Sequence, residues 1–216
     1  MYGTGRIFEV GCWAHARRKF YEAQATDPER SLYALGVIRQ LYHVEKQADE
    51  TIATQGLTRE DGWWLRLRWR HEQATPLLTK FSEWLNQQYD QVLPKSPIAA
   101  ALGYALNHWP AFLRYTTQGY LAIDNNAAER ALRAIAVGRK NYLFFGSDVG
   151  GATAAVLYSL VQSCKRLSIE PWRYLRDVLE RLPAWPAERL IELLPDRWAA
   201  TQLLLTRETA ADSDES

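Results

Sequence analysis

The sequence predicts a mainly α-helical protein with one clear β-strand at about residues 7–14. Three observations carry this. Apolar residues recur at helical spacing along most of the 216 residues, which is the mark of amphipathic helices. Prolines and capping residues punctuate those stripes at helix starts. Only Ile7-Phe8-Glu9-Val10-Gly11-Cys12-Trp13-Ala14 is nearly apolar on both faces of an alternating pattern, as a strand inside a covered sheet would be. A hydrophobic fraction of 47% with 9 Trp belongs to a folded core rather than a disordered chain.

An interior strand needs ladder partners on both sides, because unpaired buried backbone groups are costly. The only other strand-like run is Tyr120-Leu121-Ala122-Ile123. The missing partners imply a sheet upstream, so the chain reads as a piece of something larger. Cys12-x-x-His15 lacks the second pair that a structural zinc site requires. Cys12 then reads as a packed strand residue, while His15 at the strand's end remains free to face an active site.

Arg17, Arg18 and Lys19 open the first helix, where cations oppose the helix dipole. A partner anion explains them better than helix stability does, and DNA phosphate is the preferred candidate. Residues 31–54 form an amphipathic helix with Leu32, Leu35, Ile38, Leu41, Tyr42 and Ala48 as its core stripe. Thr58 caps a second helix carrying Trp63, Trp64, Leu67 and Trp69 among Arg66, Arg68 and Arg70. Such interleaving can bind nucleic acid. The preferred reading is a buried Trp face with its arginines in solvent.

Pro76 starts a new helical segment or kinks the old one, and Leu77, Phe81, Trp84 and Leu85 continue the stripe. Ser96-Pro97 launches a helix over 98–109, and a short one follows to 116. Asp124 then caps the helix that carries Glu129. At about 100° per residue, Ala128, Ala131, Leu132 and Ile135 share one arc and Asn126, Glu129 and Arg133 another. Beyond a short apolar run at 142–146, residues 152–167 read as a buried helix with Ala155, Tyr158 and Val161 inward. Pro171 opens the next helix, 186–194 and 196–205 are terminal helices, and 206–216 is expected to be disordered.

A net charge of +1 says little, but cations cluster at 17–19, 66–70 and 130–140, and local patches decide phosphate contact. Cys12 and Cys164 imply no disulfide framework. Without a signal peptide or an 18-residue apolar run, the chain reads as cytoplasmic with no membrane partner.

Glu129 and Arg133 stand at i,i+4, a spacing that also makes an ordinary surface pair contributing roughly 0.2–0.5 kcal/mol. The alternative is chemical. One carboxylate among Arg130, Arg133, Arg139 and Lys140 suits a divalent-metal site working on phosphate.

The segment Asp124-Asn125-Asn126-Ala127-Ala128-Glu129-Arg130 with Gly138-Arg139-Lys140-Asn141-Tyr142-Leu143-Phe144-Phe145-Gly146-Ser147-Asp148 resembles the C-terminal signature of the insertion-sequence-66 family of bacterial transposases. The likeness extends from Gly11-Cys12-Trp13-Ala14-His15-Ala16-Arg17-Arg18-Lys19-Phe20 to Glu192-Leu193-Leu194-Pro195. It implies a ribonuclease H-like α/β fold of which this chain is the C-terminal remnant. In that reading 1–19 holds a late strand and the start of a helix, and 20–119 is a helical insertion. Residues 120–167 carry the Glu-bearing helix, and 168–205 the C-terminal helices.

The resemblance also makes Glu129 the last catalytic, metal-holding residue of an Asp-Asp-Glu triad using Mg²⁺ for phosphoryl transfer on DNA. Arg17, Arg18, Lys19, Arg130, Arg133, Arg139, Lys140 and Asn141 would contact that DNA at the ends of the insertion sequence. The triad's aspartates should lie before the Gly-Cys-Trp-Ala-His segment, yet the first Asp is Asp27. One carboxylate cannot replace three for a hard cation. The expectation is therefore a truncated transposase, inactive alone, whose Glu129 pairs with a nearby arginine. Partners would be DNA, a second copy or an intact transposase. The rival is a non-catalytic DNA-binding or regulatory module.

Overall fold

A computed structural model describes residues 7–140 and 144–200, in two compact units, 1–129 and 130–216. The first contains helices α1 (Trp13–Ala23), α2 (Pro28–Gln55), α3 (Arg59–Trp69), α4 (Thr75–Tyr89), α5 (Pro97–Asn107) and α6 (Trp109–Leu113). A π-helical turn, Arg70–Ala74, joins α3 to α4, and a 3₁₀ turn, Arg114–Thr117, follows α6. Helix α7 (Asn126–Gly138) begins at the end of this unit.

The mainly α expectation holds, but the strand and the ribonuclease H-like sheet do not: among the described residues there is no β-strand. Residues 7–12 are irregular, and Trp13 and Ala14 already belong to α1. Ladder bonding is what fails. The Gly11 N–H donates to Ala111 O at 2.8 Å and the Trp13 N–H to Ile123 O at 3.1 Å, two single bonds to separate segments. Ile7 and Phe8 are 49% and 65% exposed, so the run is not buried on both faces. Its burial comes late, at Gly11, where an added Cβ would lie 2.6 Å from the Phe112 ring, and at Trp13.

Trp13 is the centre of the first core. Its ring is fully buried, 4.7 Å from Phe112, 6.0 Å from Trp109 and 6.3 Å from Phe81, and its indole N–H donates to Phe112 O. Phe20, Ile38, Leu41, Leu78, Leu85 and Leu102 complete that core from α1, α2, α4 and α5. The caps are as read: Thr58 and Ser96 each accept an N–H from the third residue onward. Helix α2 starts earlier than expected, at Pro28, because Asp27 accepts the Arg30 N–H and proline sits at the first helical position. Its buried stripe is Ala34, Val37, Ile38, Leu41, Val44 and Ala48, and Leu32 is exposed.

Pro76 neither breaks nor simply starts a helix. Lacking an N–H, it follows a π turn in which the Thr75 N–H reaches back five residues to Arg70 O. The extra residue turns Arg70 inward, where it is fully buried. All five of its N–H donors are used, on both oxygens of Glu45 (2.8 and 2.7 Å) and on the carbonyls of Tyr115 (2.6 Å), Gln118 (2.8 Å) and Leu121 (2.8 Å). Arg66 adds a bond to Gly119 O and an ion pair with Asp49. The expected arrangement of buried tryptophans and solvated arginines therefore holds only in part: Arg68 is exposed and Trp63 and Trp69 are half-buried, but Arg70 is interior and Trp64 is 71% exposed. These arginines satisfy the backbone of 115–121, which is why that segment needs no sheet partner. Gly119 permits this closeness, since a Cβ there would lie 1.9 Å from Trp63 O.

The second unit contains α8 (Asp148–Arg166) and α9 (Pro171–Arg181), 3₁₀ turns at Leu182–Ala184 and Ala187–Leu193, and a helical stretch at 195–200. Its core is Cys164, Tyr174, Val178, Leu193 and Trp198, with the Tyr174 hydroxyl donating to Leu193 O at 2.7 Å. Helix α8 is not the buried helix expected: Ala155 is exposed, Tyr158 and Val161 are half-buried, and only Cys164 is interior. The expected disorder of 206–216 concerns residues outside those described.

Candidate functional site

The approach to Glu129 is built by contacts that fix residues 118–126. Arg70 and Arg66 hold the carbonyls of 118, 119 and 121, and the Trp13 N–H holds that of Ile123. Asp124 comes next. Its carboxylate accepts the Asn126 backbone N–H at 3.0 Å, as a residue at a helix start does, and also the Asn126 side-chain amide at 2.7 Å. The Tyr42 hydroxyl, on α2, donates to the same carboxylate at 2.8 Å. Cys12 Sγ accepts the Asn125 N–H at 3.3 Å, so the cysteine of Cys-x-x-His serves as a backbone anchor.

Burial, together with the adjoining Asp124 carboxylate, pushes the Tyr42 phenol well above its ordinary value. A phenol held protonated by the fold stabilises it below the unfolded tyrosine pKa of about 10, and that contribution is lost as pH rises further. Tyr42→Phe is expected to cost about 1.5–3 kcal/mol near neutral pH, the range for a bond to a charged acceptor. Urea unfolding from neutral pH to about pH 11 should show the gap to the parent protein narrowing above pH 10. A gap constant across that range would contradict the assignment.

One turn into α7, Glu129 meets His15 of α1, with Oε1 and Nε2 3.4 Å apart. Both side chains are about half exposed, 48% and 49%. The side chain facing Glu129 is thus this histidine and not the arginine expected. The contact leaves the carboxylate half open to solvent, where a ligand can reach it. The donor set does not by itself fit Mg²⁺. Among the described residues no three His, Cys, Asp or Glu side chains gather where a metal could bind, and both Asp124 oxygens are already engaged. A cation wanting near-octahedral oxygens needs more than Glu129.

The cations of α1 divide. Arg18 pairs with Glu22 at 3.0 Å, Lys19 lies over the Tyr104 ring at 5.0 Å, and Arg17 lines a groove with Asn126. Arg130, Arg133, Arg139 and Lys140 are exposed and belong to the second unit, while Asn141 lies outside the described residues. Sequence reading missed Tyr42, taken for a core residue, and Arg39, which lines the same groove as Arg17. A tyrosine inside an apolar stripe is the signal for the first, since a buried hydroxyl needs an acceptor. No local signal marks the second.

A half-exposed carboxylate at a helix start, 3.4 Å from a histidine, defines the class of site only as a solvent-open polar one. The comparisons make the class specific. Residues 1–153 match the transposase IS66 family and residues 159–195 the IS66 C-terminal element, so the chain belongs to the IS66 transposase family. The uncharacterized protein y4hP of Sinorhizobium fredii is 36% identical over 210 residues, covering 89% of this chain and 36% of its own length. From the same organism, y4jD is 31% identical over 195 residues, with the same two shares, and y4qI 33% identical over 188, covering 86% of this chain and 33% of itself. The chain thus spans about a third of the length of these relatives. No solved structure matches it significantly. Among the described residues, no helix is long and apolar enough to cross a membrane.

Proposed function

We propose that this chain is the C-terminal portion of a DNA transposase and supplies the last carboxylate, Glu129, of a phosphoryl-transfer site acting on insertion-sequence ends. The observation that carries the reading is the position of Glu129 in the Asp-Asn-Asn-x-x-Glu-Arg motif, exposed on the first turn of α7 and held by His15. The remaining carboxylates of an Mg²⁺ site would come from outside the described residues. Within the chain, Asp124, Tyr42 and Cys12 fix the backbone before Glu129, and the arginines of α7 offer charge to phosphate. Alone, the chain would bind DNA without cutting it.

The test compares two reactions. In a relative about three times as long, changing the glutamate at the position of Glu129 to glutamine should abolish metal-dependent cleavage and leave DNA binding intact. The reading of a non-catalytic module is favoured by the absence of a metal-capable trio among the described residues. It predicts metal-independent binding by both proteins and no effect of that change on cleavage.

A further inference from the structure

The groove between α1 and α2 encloses about 720 Å³ and carries two cations, Arg17, already expected to contact DNA, and Arg39, which has no use in the account above. Helices α1 and α2 hold six Lys and Arg residues: Arg17, Arg18, Lys19, Arg30, Arg39 and Lys46. Four are engaged. Arg18 pairs with Glu22, Arg30 with Asp27 at 2.9 Å and Lys46 with Glu50 at 3.5 Å, and Lys19 rests over Tyr104. Arg17 and Arg39 are exposed and, among the described residues, have neither an ion pair nor a hydrogen bond. Both line this one groove, which has no carboxylate in its lining. Two guanidinium groups lining one concavity, with no carboxylate there to neutralise them, favour an anion from outside.

The rest of the lining says what kind of anion. Leu32, Leu35, Ala14 and Gly36 supply apolar surface in the same groove as the two arginines, and Leu32 is 56% exposed. A DNA strand, with charged phosphates and less polar sugar faces between them, matches that mixed lining. The groove also reaches Asn126, one turn before Glu129 on α7. We propose that it takes the sugar–phosphate backbone of a DNA strand, with Arg17 and Arg39 each on a phosphate, and leads that strand toward Glu129. This rests on the DNA reading above and adds Arg39 and the path.

The experiment is fluorescence anisotropy of the purified full chain with labelled DNA oligonucleotides, single-stranded and duplex, over a salt series. Arg17→Ala and Arg39→Ala should each reduce the slope of log K against log salt by about 0.7 for single strands or 0.9 for duplex, and additively when combined. Arg39→Lys should restore the slope, and Lys46→Ala, whose partner is Glu50, should leave it unchanged. Parent-like slopes in both arginine variants, or a fall in Lys46→Ala equal to that in Arg39→Ala, would overturn the groove while DNA binding itself stands. No binding by the parent chain at low salt would overturn both the groove and the DNA reading.

Discussion

Arg70→Ala is expected to cost about 3–5 kcal/mol, the range for removing one partner of a buried, hydrogen-bonded charge pair. Arg70 is fully buried, and its carboxylate partner Glu45 is only 12% exposed. The change would strand that carboxylate and release the carbonyls of Tyr115, Gln118 and Leu121 together. It would also uncover the Tyr115 ring, over which the guanidinium sits at 4.9 Å. Lysine has three donors on a point charge and cannot reproduce a five-bond fork, so Arg70→Lys should recover only part of the loss. Urea unfolding monitored by circular dichroism reads the difference. A cost under about 1 kcal/mol would mean that the 115–121 segment is held by something else, since exposed pairs fall in that range.

The second large effect belongs to chemistry. In the longer relatives, glutamine in place of the residue matching Glu129 keeps shape and volume and removes only the charge. If this carboxylate serves the reacting phosphate, cleavage should fall by about 10³-fold or more, corresponding to several kcal/mol of lost charge stabilisation. In the present chain the same change should alter stability by about 0–1 kcal/mol, because Glu129 and His15 are both half exposed. An equal loss of DNA binding in the longer protein would make the glutamate structural and not catalytic.

Much of the helical plan was legible because its signals are local. Thr58, Ser96-Pro97 and Pro171 marked helix starts that the structure keeps, and Gly56 closes α2 with a left-handed φ of 59°. Asp27-Pro28 carried the same signal and went unread. The strand failed for a different reason. An apolar octapeptide cannot announce whether its neighbours offer a ladder, and here Ala111 and Ile123 each offer one carbonyl. Arg70 was illegible because its partners lie 25 to 51 residues away, beyond any helical periodicity. The expected burial of α8 followed its apolar content, yet Val149, Val156 and Leu157 are all exposed.

Glu129 was singled out by its motif, whereas its contact with His15 required the structure, since 113 positions separate Cys12 from Asn125 and a similar gap separates the pair. The flagged Cys-x-x-His spacing marks that junction after all. It does so because Cys12 anchors a loop and His15 meets a carboxylate.

The most direct measurement is nicking of supercoiled DNA bearing insertion-sequence ends by this purified chain, with Mg²⁺ or Mn²⁺ supplied. With Glu129 present and no metal-capable trio of side chains among the described residues, the chain should bind the DNA and leave it intact at any metal concentration. Robust metal-dependent nicking that disappears in Glu129→Gln would show that the chain assembles a complete metal site and would contradict the account.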